Sequence, residues 1–409
     1  MPLHKFLLNH IKQNYHRFRF FFVFVIISSA IGLGLFFASL PKSAITRAQT
    51  GNTYYVATNG NDSRSCSTAT NINTPKGTLS NAVTCLSAGD TLYIRGGTYT
   101  GSNNTIDSEV NTVPSGTSWS NAVTIRGYPG ETVTIRPPNG IHGLRLTLGA
   151  PHYLIFQDFI LDYVNDTIGM VGIYLSSGAH HNRFERLEVT GAKEFGIGFS
   201  RNNGNSPFNE VINSRISNSG FPGGPITNGH GFYISTSDNL FEGNEVFNNQ
   251  GYGFHLYDDA GPKFVARNVV RNNKIYNNGL HPSLGYGLVQ AWGADNLIYN
   301  NLIYSNPGGI LIYIDSENVG VYNNTIYSNT VAEGIALQFY QSAPIIHNNI
   351  VFANESSIVD YGGTGSPVIS NNFTTDPKFI NASTNDFHLQ SSSPAINAGT
   401  PVSTVTTDF

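Results

Sequence analysis

The chain has 409 residues, only 12% of them charged, and a formal net charge of −4 at pH 7. This balance excludes the strongly basic footprint of a nucleic-acid-binding protein. Aliphatic and aromatic residues are too common for a disordered chain, and the 43 glycines suit a fold with many tight turns.

The N-terminus has the pattern of an export signal. Four basic residues and no acidic residue lie in positions 1–19, and residues 20–40 carry no charge. A basic segment before a long apolar run stays in the cytoplasm while the following chain is exported. Residues 1–50 are therefore predicted to be a cleaved signal peptide or a retained membrane anchor, followed by a polar linker. In both cases the body lies outside the cytoplasm, and membrane contact is restricted to residues 20–40.

Residues 51–100 are predicted to form an N-terminal cap and a first coil. TYYVAT (53–58) and TLYIRGGTY (91–99) have the composition of strands. Between them, apolar residues recur at helical spacing, which predicts a short helix over 78–87. An open stack of strands exposes unpaired backbone and apolar core, so this helix is expected to cover the end of the stack.

The chain contains two cysteines, Cys66 and Cys85. In an exported protein the expected outcome is one disulfide, which would tie the cap together. The alternative is two unpaired buried thiols. A metal site is not expected because two cysteines without a nearby histidine supply too few ligands.

A repeated pattern anchored mostly by asparagine occupies residues 101–375. Each unit has an apolar residue, a polar patch that ends at the anchor, and an alternating apolar strand. The anchors are Asp158, Leu187, Ser214, Asn244, Asn273, Asn301, Asn324, Asn349 and Asn372. Their spacing of about 23 to 30 residues indicates stacked units that bury one face against the next. The anchor asparagines are expected to form a ladder of amide hydrogen bonds along the stack.

Each unit also contains a second strand that begins after a glycine, as in GFHLY (253–257). Because side chains alternate along a strand, this pattern predicts which residues point into the core. The predicted inward residues are Ile173, Leu175, Ile197, Phe199, Phe232, Ile234, Phe254, Leu256, Ile335 and Leu337.

These features resemble right-handed parallel β-helix proteins of the pectin-lyase-like superfamily. The opening from YYVATNGNDS to GGTYTG (54–101) resembles the cap and first coil of bacterial members. The ending DPKFINASTNDFHLQSSSPAINAG (376–399) resembles their exit, so residues 376–409 are predicted to form a C-terminal exit segment. The resemblance implies an all-β fold, a right-handed parallel β-helix with a short N-terminal capping helix. It does not select an activity, because the superfamily includes polysaccharide lyases, glycoside hydrolases, uronan epimerases and non-catalytic surface proteins.

The segment GYGFHLYDDAGPK (251–263) breaks the repeat with polar residues at outward positions. Alternation places His255 and Tyr257 outward on one strand, and the next turn holds Asp258, Asp259 and Lys263. Neighbouring units extend this surface. The predicted substrate-binding residues are Tyr174, Tyr233, Ser235, Gln290, Trp292 and Tyr313. Aromatic rings beside acids and bases along a groove suit a sugar polymer, whereas the alternative is a solvated sheet face that happens to hold tyrosines.

Lyase chemistry fits these groups best. β-Elimination from a uronic acid needs a base for the C5 proton, a proton donor for the leaving oxygen and a group that neutralises the carboxylate. His255 and Tyr257 are the predicted base and acid, and Arg201 or Lys263 is the predicted neutralising group. Lys193 is an alternative base. Asp258 and Asp259 would supply hard oxygen ligands if calcium is a cofactor.

Other polar positions are interpreted as structural. Asp238, Asp295 and Glu317 recur in one turn of three units, where such side chains cap the backbone. GHG (229–231) and YDD (257–259) are similar to signatures of polygalacturonase-type hydrolases. Their order is reversed and the partner motifs are missing, which argues against a two-carboxylate hydrolase. His230 is therefore interpreted as a turn residue.

The leading hypothesis is an exported monomer that acts on an acidic polysaccharide as a lyase. The first alternative is a non-catalytic cell-surface β-helix protein that binds glycan or acts as a spacer. A glycoside hydrolase, with Asp259 and Asp315 as its carboxylates, or a uronan epimerase is the third hypothesis.

Overall fold

A computed structural model describes residues 51–224, 229–258, 264–281, 283, 285–403 and 405. They belong to a compact unit, Arg47–Phe409. The predicted export segment (residues 20–40), Asp259 and Lys263 lie outside the described residues. Within the described part, no helix is long and apolar enough to cross a membrane.

Three long parallel sheets make up the described fold, and the chain visits each sheet about once per turn of the stack. The first sheet contains Thr53–Val56, Thr91–Ile94, Val123–Gly127, Leu154–Gln157, Arg183–Glu185, Glu210–Ile212, Leu240–Glu242, Val269–Arg271, Leu297–Tyr299, Gly320–Tyr322, Ile345–His347 and Val368–Ser370. The second sheet contains Gly97–Thr100, Val133–Arg136, Ile160–Asp162, Glu188–Thr190, Arg215–Ser217, Glu245–Phe247, Lys274–Tyr276, Leu302–Tyr304, Thr325–Tyr327 and Ile350–Phe352. The third sheet contains Ile106–Asp107, Leu144–Leu146, Ile173–Leu175, Phe195–Phe199, His230–Ile234, Phe254–Tyr257, Tyr286–Ala291, Gly308–Tyr313, Ile335–Leu337 and Ile358–Asp360.

Shorter elements complete the described fold. Val265–Ala266 pairs with Gly293–Ala294 in parallel, and Phe379–Asn381 pairs with Asp386–Leu389 in antiparallel. Three single 3₁₀ turns occur at Thr68–Thr70, Trp119–Asn121 and Ala382–Thr384. The fold is therefore the predicted parallel β-helix.

The N-terminal region contains the predicted disulfide and a shorter helix than expected. Cys66 and Cys85 are joined, with Cα atoms 5.4 Å apart. The α-helix covers only Leu79–Val83, because the next backbone bonds, from Cys85 and Leu86, span three residues and tighten the last turn. Its apolar side is buried in the main core. That this helix covers the end of the stack stays a prediction.

The apolar core runs between the three sheets. All ten predicted inward residues of the third sheet are fully buried, so the alternation was assigned correctly there. Equivalent residues stack rung upon rung, as Phe232 and Phe254 do with ring centroids 4.3 Å apart. Full burial of one such side chain contributes about 1.5–3 kcal/mol.

The predicted asparagine ladder is present at the corner between the first and second sheets. The backbone N–H and side-chain amide of Asn244 donate to Asn273 Oδ1 over 2.8 and 3.0 Å. Asn273 in turn donates to Asn301 Oδ1 over 2.9 Å. The ladder continues to Asn372. Each anchor therefore satisfies buried backbone groups of its neighbours, which fixes the register of the rungs.

Two further ladders were not predicted. One contains Asn182, Asn209, Asn239, Asn268 and Asn296. The other contains Asn249, Asn278, Asn306, Asn329 and Asn354. The assignment of Asp158 as an anchor is wrong by one residue, because Glu188 pairs with Ile160 and Leu187 therefore lies level with Phe159. Asp158 instead has a left-handed backbone at the corner and binds Arg126.

The turn residues agree in part with their structural interpretation. Asp238 and Asp295 have left-handed backbone conformations, and Arg267 donates to Asp238 over 2.6 Å. Glu317 pairs through its backbone with Ala294. These side chains support the corners of the stack.

Candidate functional site

The outer face of the third sheet carries most of the residues selected from the sequence. Parallel pairing aligns ten outward residues, one from each strand, in a single column. Along the stack this column begins with charged residues, continues with mostly aromatic residues and ends with aliphatic residues. In order they are Asp107, Arg145, Tyr174, Gly198, Tyr233, His255, Val289, Leu311, Ala336 and Val359. We call Tyr174, Tyr233 and His255 of this column, together with the neighbouring rings of Tyr252 and Tyr257, the aromatic face.

His255 lies at the centre of the aromatic face. Its ring centroid is 4.7–5.2 Å from those of His230, Tyr233, Tyr252 and Tyr257. The side chain is partly exposed, but its Nδ1 atom is buried and has no hydrogen-bond partner among the described residues. Burial lowers the pKa of His255 to about 3, so the imidazole is neutral at pH 7.

Tyr257 and Trp292 extend the rings beyond His255. Their centroids are 5.3 Å apart in an edge-on arrangement. Trp292 donates its indole N–H to Asp315 over 2.7 Å, and Gln341 donates to the other oxygen of Asp315. Tyr313 is partly buried and level with Ala291 and Tyr257. The predicted positions of Tyr257, Trp292 and Tyr313 on this side of the sheet are therefore correct.

The predicted neutralising group and one predicted metal ligand bind each other. Arg201 donates through Nε to Asp258, whose side chain is only 4% exposed. The guanidinium also lies 4.9 Å from the Phe264 ring, and its two terminal nitrogens have no hydrogen bond to the described residues. Asp258 therefore holds Arg201 in place and does not offer a free carboxylate.

Calcium binding by Asp258 and Asp259 stays a prediction. The Asp258 carboxylate is already neutralised by Arg201. The described residues contain no group of three metal-ligating side chains. Asp259 lies outside the described residues.

The predicted surface positions of Gln290 and Ser235 are wrong. Gln290 is fully buried and level with Leu256 and Ile312, while Val289 occupies the outward column. The prediction was one residue out of register, because the apolar pair Leu288 and Val289 hides the alternation, and a one-residue slip moves a side chain to the opposite face of the sheet. Ser235 is also buried, and its hydroxyl donates to the backbone oxygen of Phe199.

His230 is a strand residue and not a turn residue. It begins the strand His230–Ile234, is buried, and accepts a hydrogen bond at Nδ1 from the Tyr252 backbone over 2.9 Å. Its ring stacks on Tyr252 with centroids 5.0 Å apart. These contacts give His230 a structural role beneath the aromatic face.

Sequence reasoning missed a pocket beside His255. Gly198 occupies the outward column between Tyr174 and Tyr233, so one rung has no side chain there. The resulting cavity has a volume of about 250 Å³. Its lining includes Tyr174 and Tyr233 together with His142, Glu194, Phe195 and Asn202. A glycine at an outward position between two tyrosines was the signal that could have located it.

Glu194 is the acidic group of this pocket. It precedes the strand Phe195–Phe199 and is partly buried. Its carboxyl group has no hydrogen bond or ion pair with the described residues. Burial, with a smaller contribution from Asp166, raises the pKa of Glu194.

The side chain of Lys193, the alternative base, does not lie on the aromatic face. Its ammonium lies 5.8 Å from the centre of the Phe221 ring, and its backbone N–H donates to Asp166. The structure thus gathers His255, Tyr257 and Tyr233 around the aromatic face. Arg201 follows the strand Phe195–Phe199, two strands away from that of His255, and is fixed by Asp258.

Comparisons with solved structures show the same fold at low identity. Pectate lyase Pel9A is 21% identical, with a TM-score of 0.57 over 87% of this chain and 94% of that one. A rhamnogalacturonan lyase is 17% identical, with a TM-score of 0.52 over 86% and 95% of the two chains. The GH136 lacto-N-biosidase from Eubacterium ramulus is 12% identical, with a TM-score of 0.55 over 79% and 68%.

A search of curated proteins found no significant match. The family described as "Right handed beta helix region" matches residues 153–266 and 202–374, which together span more than half of the chain. The match agrees with the three parallel sheets and with the pectin-lyase-like fold of the solved structures. The protein belongs to the right-handed parallel β-helix family.

Proposed function

We propose that this protein is an exported polysaccharide lyase that binds an acidic glycan on the aromatic face and cleaves it by β-elimination. The carrying observation is the neutral, partly exposed His255 imidazole among aromatic rings, whose buried Nδ1 has no hydrogen-bond partner among the described residues. Two of the solved structures with the same fold are named as lyases of pectate and rhamnogalacturonan. Their low identity supports the fold, and the chemistry rests on this chain's own residues.

The aromatic face suits a sugar polymer physically. Tyr174, Tyr233 and Tyr257 are partly exposed outward rings of one sheet, and successive strands lie about 4.8 Å apart. Rings of this kind combine apolar area with a polar hydroxyl. A glycan lying along the stack can therefore stack its sugar faces on the rings and hydrogen-bond at their edges.

His255 is the proposed base. It takes the proton from C5 of a uronic acid, and the C–H electrons form a double bond between C4 and C5 while the C4–O bond breaks. The Tyr257 hydroxyl gives its proton to the departing oxygen, because its ring lies 4.9 Å from that of His255. A pKa near 3 makes a weak base, but a bound uronate brings a negative charge that raises the pKa of the imidazole.

Arg201 is the proposed carboxylate neutraliser. Its Nε is used by Asp258, and the two terminal nitrogens remain for a substrate carboxylate. The ion pair with Asp258 fixes the direction of the guanidinium before substrate binds. A pre-positioned cation stabilises the extra negative charge that develops on the carboxylate as C5 loses its proton.

Export is supported by two features of the chain. The basic and apolar N-terminus predicts translocation, and the Cys66–Cys85 disulfide is stable in an oxidising compartment. We also propose that the helix Leu79–Val83 covers the first rungs, because its apolar residues join the main core.

The test uses the full chain, purified in a detergent that does not absorb in the ultraviolet. It is incubated with a panel of polyuronides while the absorbance of the unsaturated product is followed. We expect absorbance with at least one polymer, and a loss of about 10²-fold or more in the His255→Asn variant. His388→Ala is the matched control, since that side chain is 86% exposed on the C-terminal hairpin.

Other results would identify the alternatives. New reducing ends without absorbance would indicate hydrolysis, and altered uronate stereochemistry without cleavage would indicate epimerisation. Glycan binding with none of these changes would indicate a non-catalytic binding protein. Full activity of His255→Asn would show that His255 is not the base.

A further inference from the structure

The pocket at Gly198 combines aromatic walls with one carboxyl group, that of Glu194, which has no partner among the described residues. One wall is the pair His142 and Tyr174, whose rings are stacked with centroids 5.8 Å apart. The other wall is the pair Phe195 and Tyr233, stacked at 4.5 Å. The cavity between them, about 250 Å³, lies just below the size range of sites for drug-sized ligands, so it suits a single small group or sugar ring.

The nearby cations are already engaged elsewhere. Arg145 binds Asp107 and Glu109, and Arg201 binds Asp258. The ammonium of Lys193 lies over the Phe221 ring. The pocket's own imidazole, His142, is largely buried, and burial lowers its pKa, so it is neutral at pH 7. Glu194 therefore has no compensating charge among the described residues.

Asp166, the other acidic group near Glu194, is satisfied in a different way. Its Oδ2 accepts backbone hydrogen bonds from Met170 over 2.6 Å and from Lys193 over 3.2 Å. This carboxylate organises the adjoining loop and needs no ligand. Glu194 is the pocket carboxyl that a ligand can reach.

The ligand chemistry follows from these surroundings. A partly buried carboxylate without a cation is costly, and a uronate in the same pocket would add like-charge repulsion. Aromatic rings attract an ammonium group that lies within about 6 Å of their centres. We propose that this pocket is a binding site for the protonated amino group of an amino sugar, with Glu194 as its counter-ion.

This site goes beyond the proposed cleavage and does not depend on it. A positive charge is recognised at Glu194, whereas the lyase hypothesis places a negative charge beside Arg201 and His255. Gly198 and His255 lie two rungs apart on one face, with Tyr233 on the rung between them. A polymer that carries both amino and uronic acid sugars would satisfy both.

Gly198 keeps the pocket open. A Cβ atom there would come within 3.1 Å of Val171 and 3.5 Å of Tyr174. The backbone at Gly198 is not left-handed, so a side chain is excluded by space and not by conformation. Gly198→Val is therefore expected to fill the cavity while leaving Glu194 in the chain.

The experiment measures binding of three matched monosaccharides to the full chain by calorimetry at pH 7. Glucosamine carries the ammonium, N-acetylglucosamine has the same nitrogen without charge, and glucose has a hydroxyl in its place. We expect glucosamine to bind about tenfold more tightly than the other two. Equal affinities for the three sugars would overturn the proposal.

Variants locate the charge recognition. Glu194→Gln is expected to remove the preference for glucosamine, and Gly198→Val is expected to weaken glucosamine binding at least about tenfold. Glu188→Gln, on the outer side of the second sheet, is the control and should bind as the wild type does. A preference that persists in Glu194→Gln, or unchanged binding in Gly198→Val, would overturn the assignment. Ultraviolet cleavage assays on the same samples report separately on the lyase hypothesis.

Discussion

The outer faces of the first and third sheets share parallel strand pairing, but they differ in how their charged side chains are paired. On the first sheet, oppositely charged residues of adjacent strands bind each other, as Arg183 does with Glu210 over 2.6 Å and Arg271 with Glu242 over 2.7 Å. On the third sheet, rings replace these pairs between Tyr174 and His255. Its one acidic pocket residue, Glu194, has no cation among the described residues.

This difference separates scaffold from site. In an ion pair between neighbouring strands the two charges neutralise each other, so little charge remains for a ligand. The asparagine ladders already fix the register on every face, and the third sheet does not need charged pairs for that purpose. The Glu194 carboxyl group, which has no cation among the described residues, is therefore available to a ligand.

The largest effect on this contrast is expected from Arg201–Asp258, an ion pair beside the aromatic face. Arg201→Ala leaves a nearly buried carboxylate without its cation, so the free energy of unfolding should fall by about 2–3 kcal/mol. Urea titration measures this loss. Arg201→Ala combined with Asp258→Asn should recover part of it, and a double variant less stable than the single one would contradict the pairing.

The next effect concerns the pH dependence of stability. The pKa of His255 is lowered from 6.5 to about 3 in the folded protein, so between these values the unfolded chain binds more protons. Stability is therefore fully present above pH 6.5 and is lost as the pH falls toward 3. Because the ring is partly exposed, we expect about 1–2 kcal/mol of this loss between pH 7 and 4.5.

Urea midpoints of wild type and His255→Asn at these two pH values isolate that contribution. Other histidines with lowered pKa values, such as His142, remain in both proteins. The variant should lose less stability on acidification than the wild type. Equal losses would show that burial does not lower the pKa of His255.

The smallest effect is expected on the first sheet. Glu242→Gln removes one charge of a partly exposed pair with Arg271, and such pairs contribute below about 1 kcal/mol. Unfolding in urea should change little, and glycan cleavage should not change at all. A loss of cleavage in this variant would mean that the two faces are not independent.

The sequence predicted the fold well because the fold depends on local, repeated signals. The alternation in GFHLY and the recurring asparagines each report a backbone environment that is the same on every rung. Asp158 was misassigned because the anchor there is not an asparagine and Phe159 occupies the level position. Where the repeat is weak, counting residues no longer fixes the register.

The site was predicted less well because its key contacts join different rungs. The Arg201–Asp258 pair spans 57 residues, and no local pattern shows which charges will meet. Gln290 was placed one residue out of register because Leu288 and Val289 are both apolar, so alternation did not show which of them faces outward. Glu194 lies before a strand and not within one, so the alternation along the strand could not predict where its side chain points.

The anchor asparagines also divide the chain into segments with equivalent ends. Each anchor offers one acceptor to the rung before it and one donor to the rung after it, as Asn273 does between Asn244 and Asn301. Two anchors are therefore interchangeable whatever the length of the chain between them. A segment cut from anchor to anchor can be removed, duplicated or transplanted while both ends of the ladder still meet. The β-helix is thus a modular scaffold whose rungs share one connecting geometry, whatever side chains their outer faces carry.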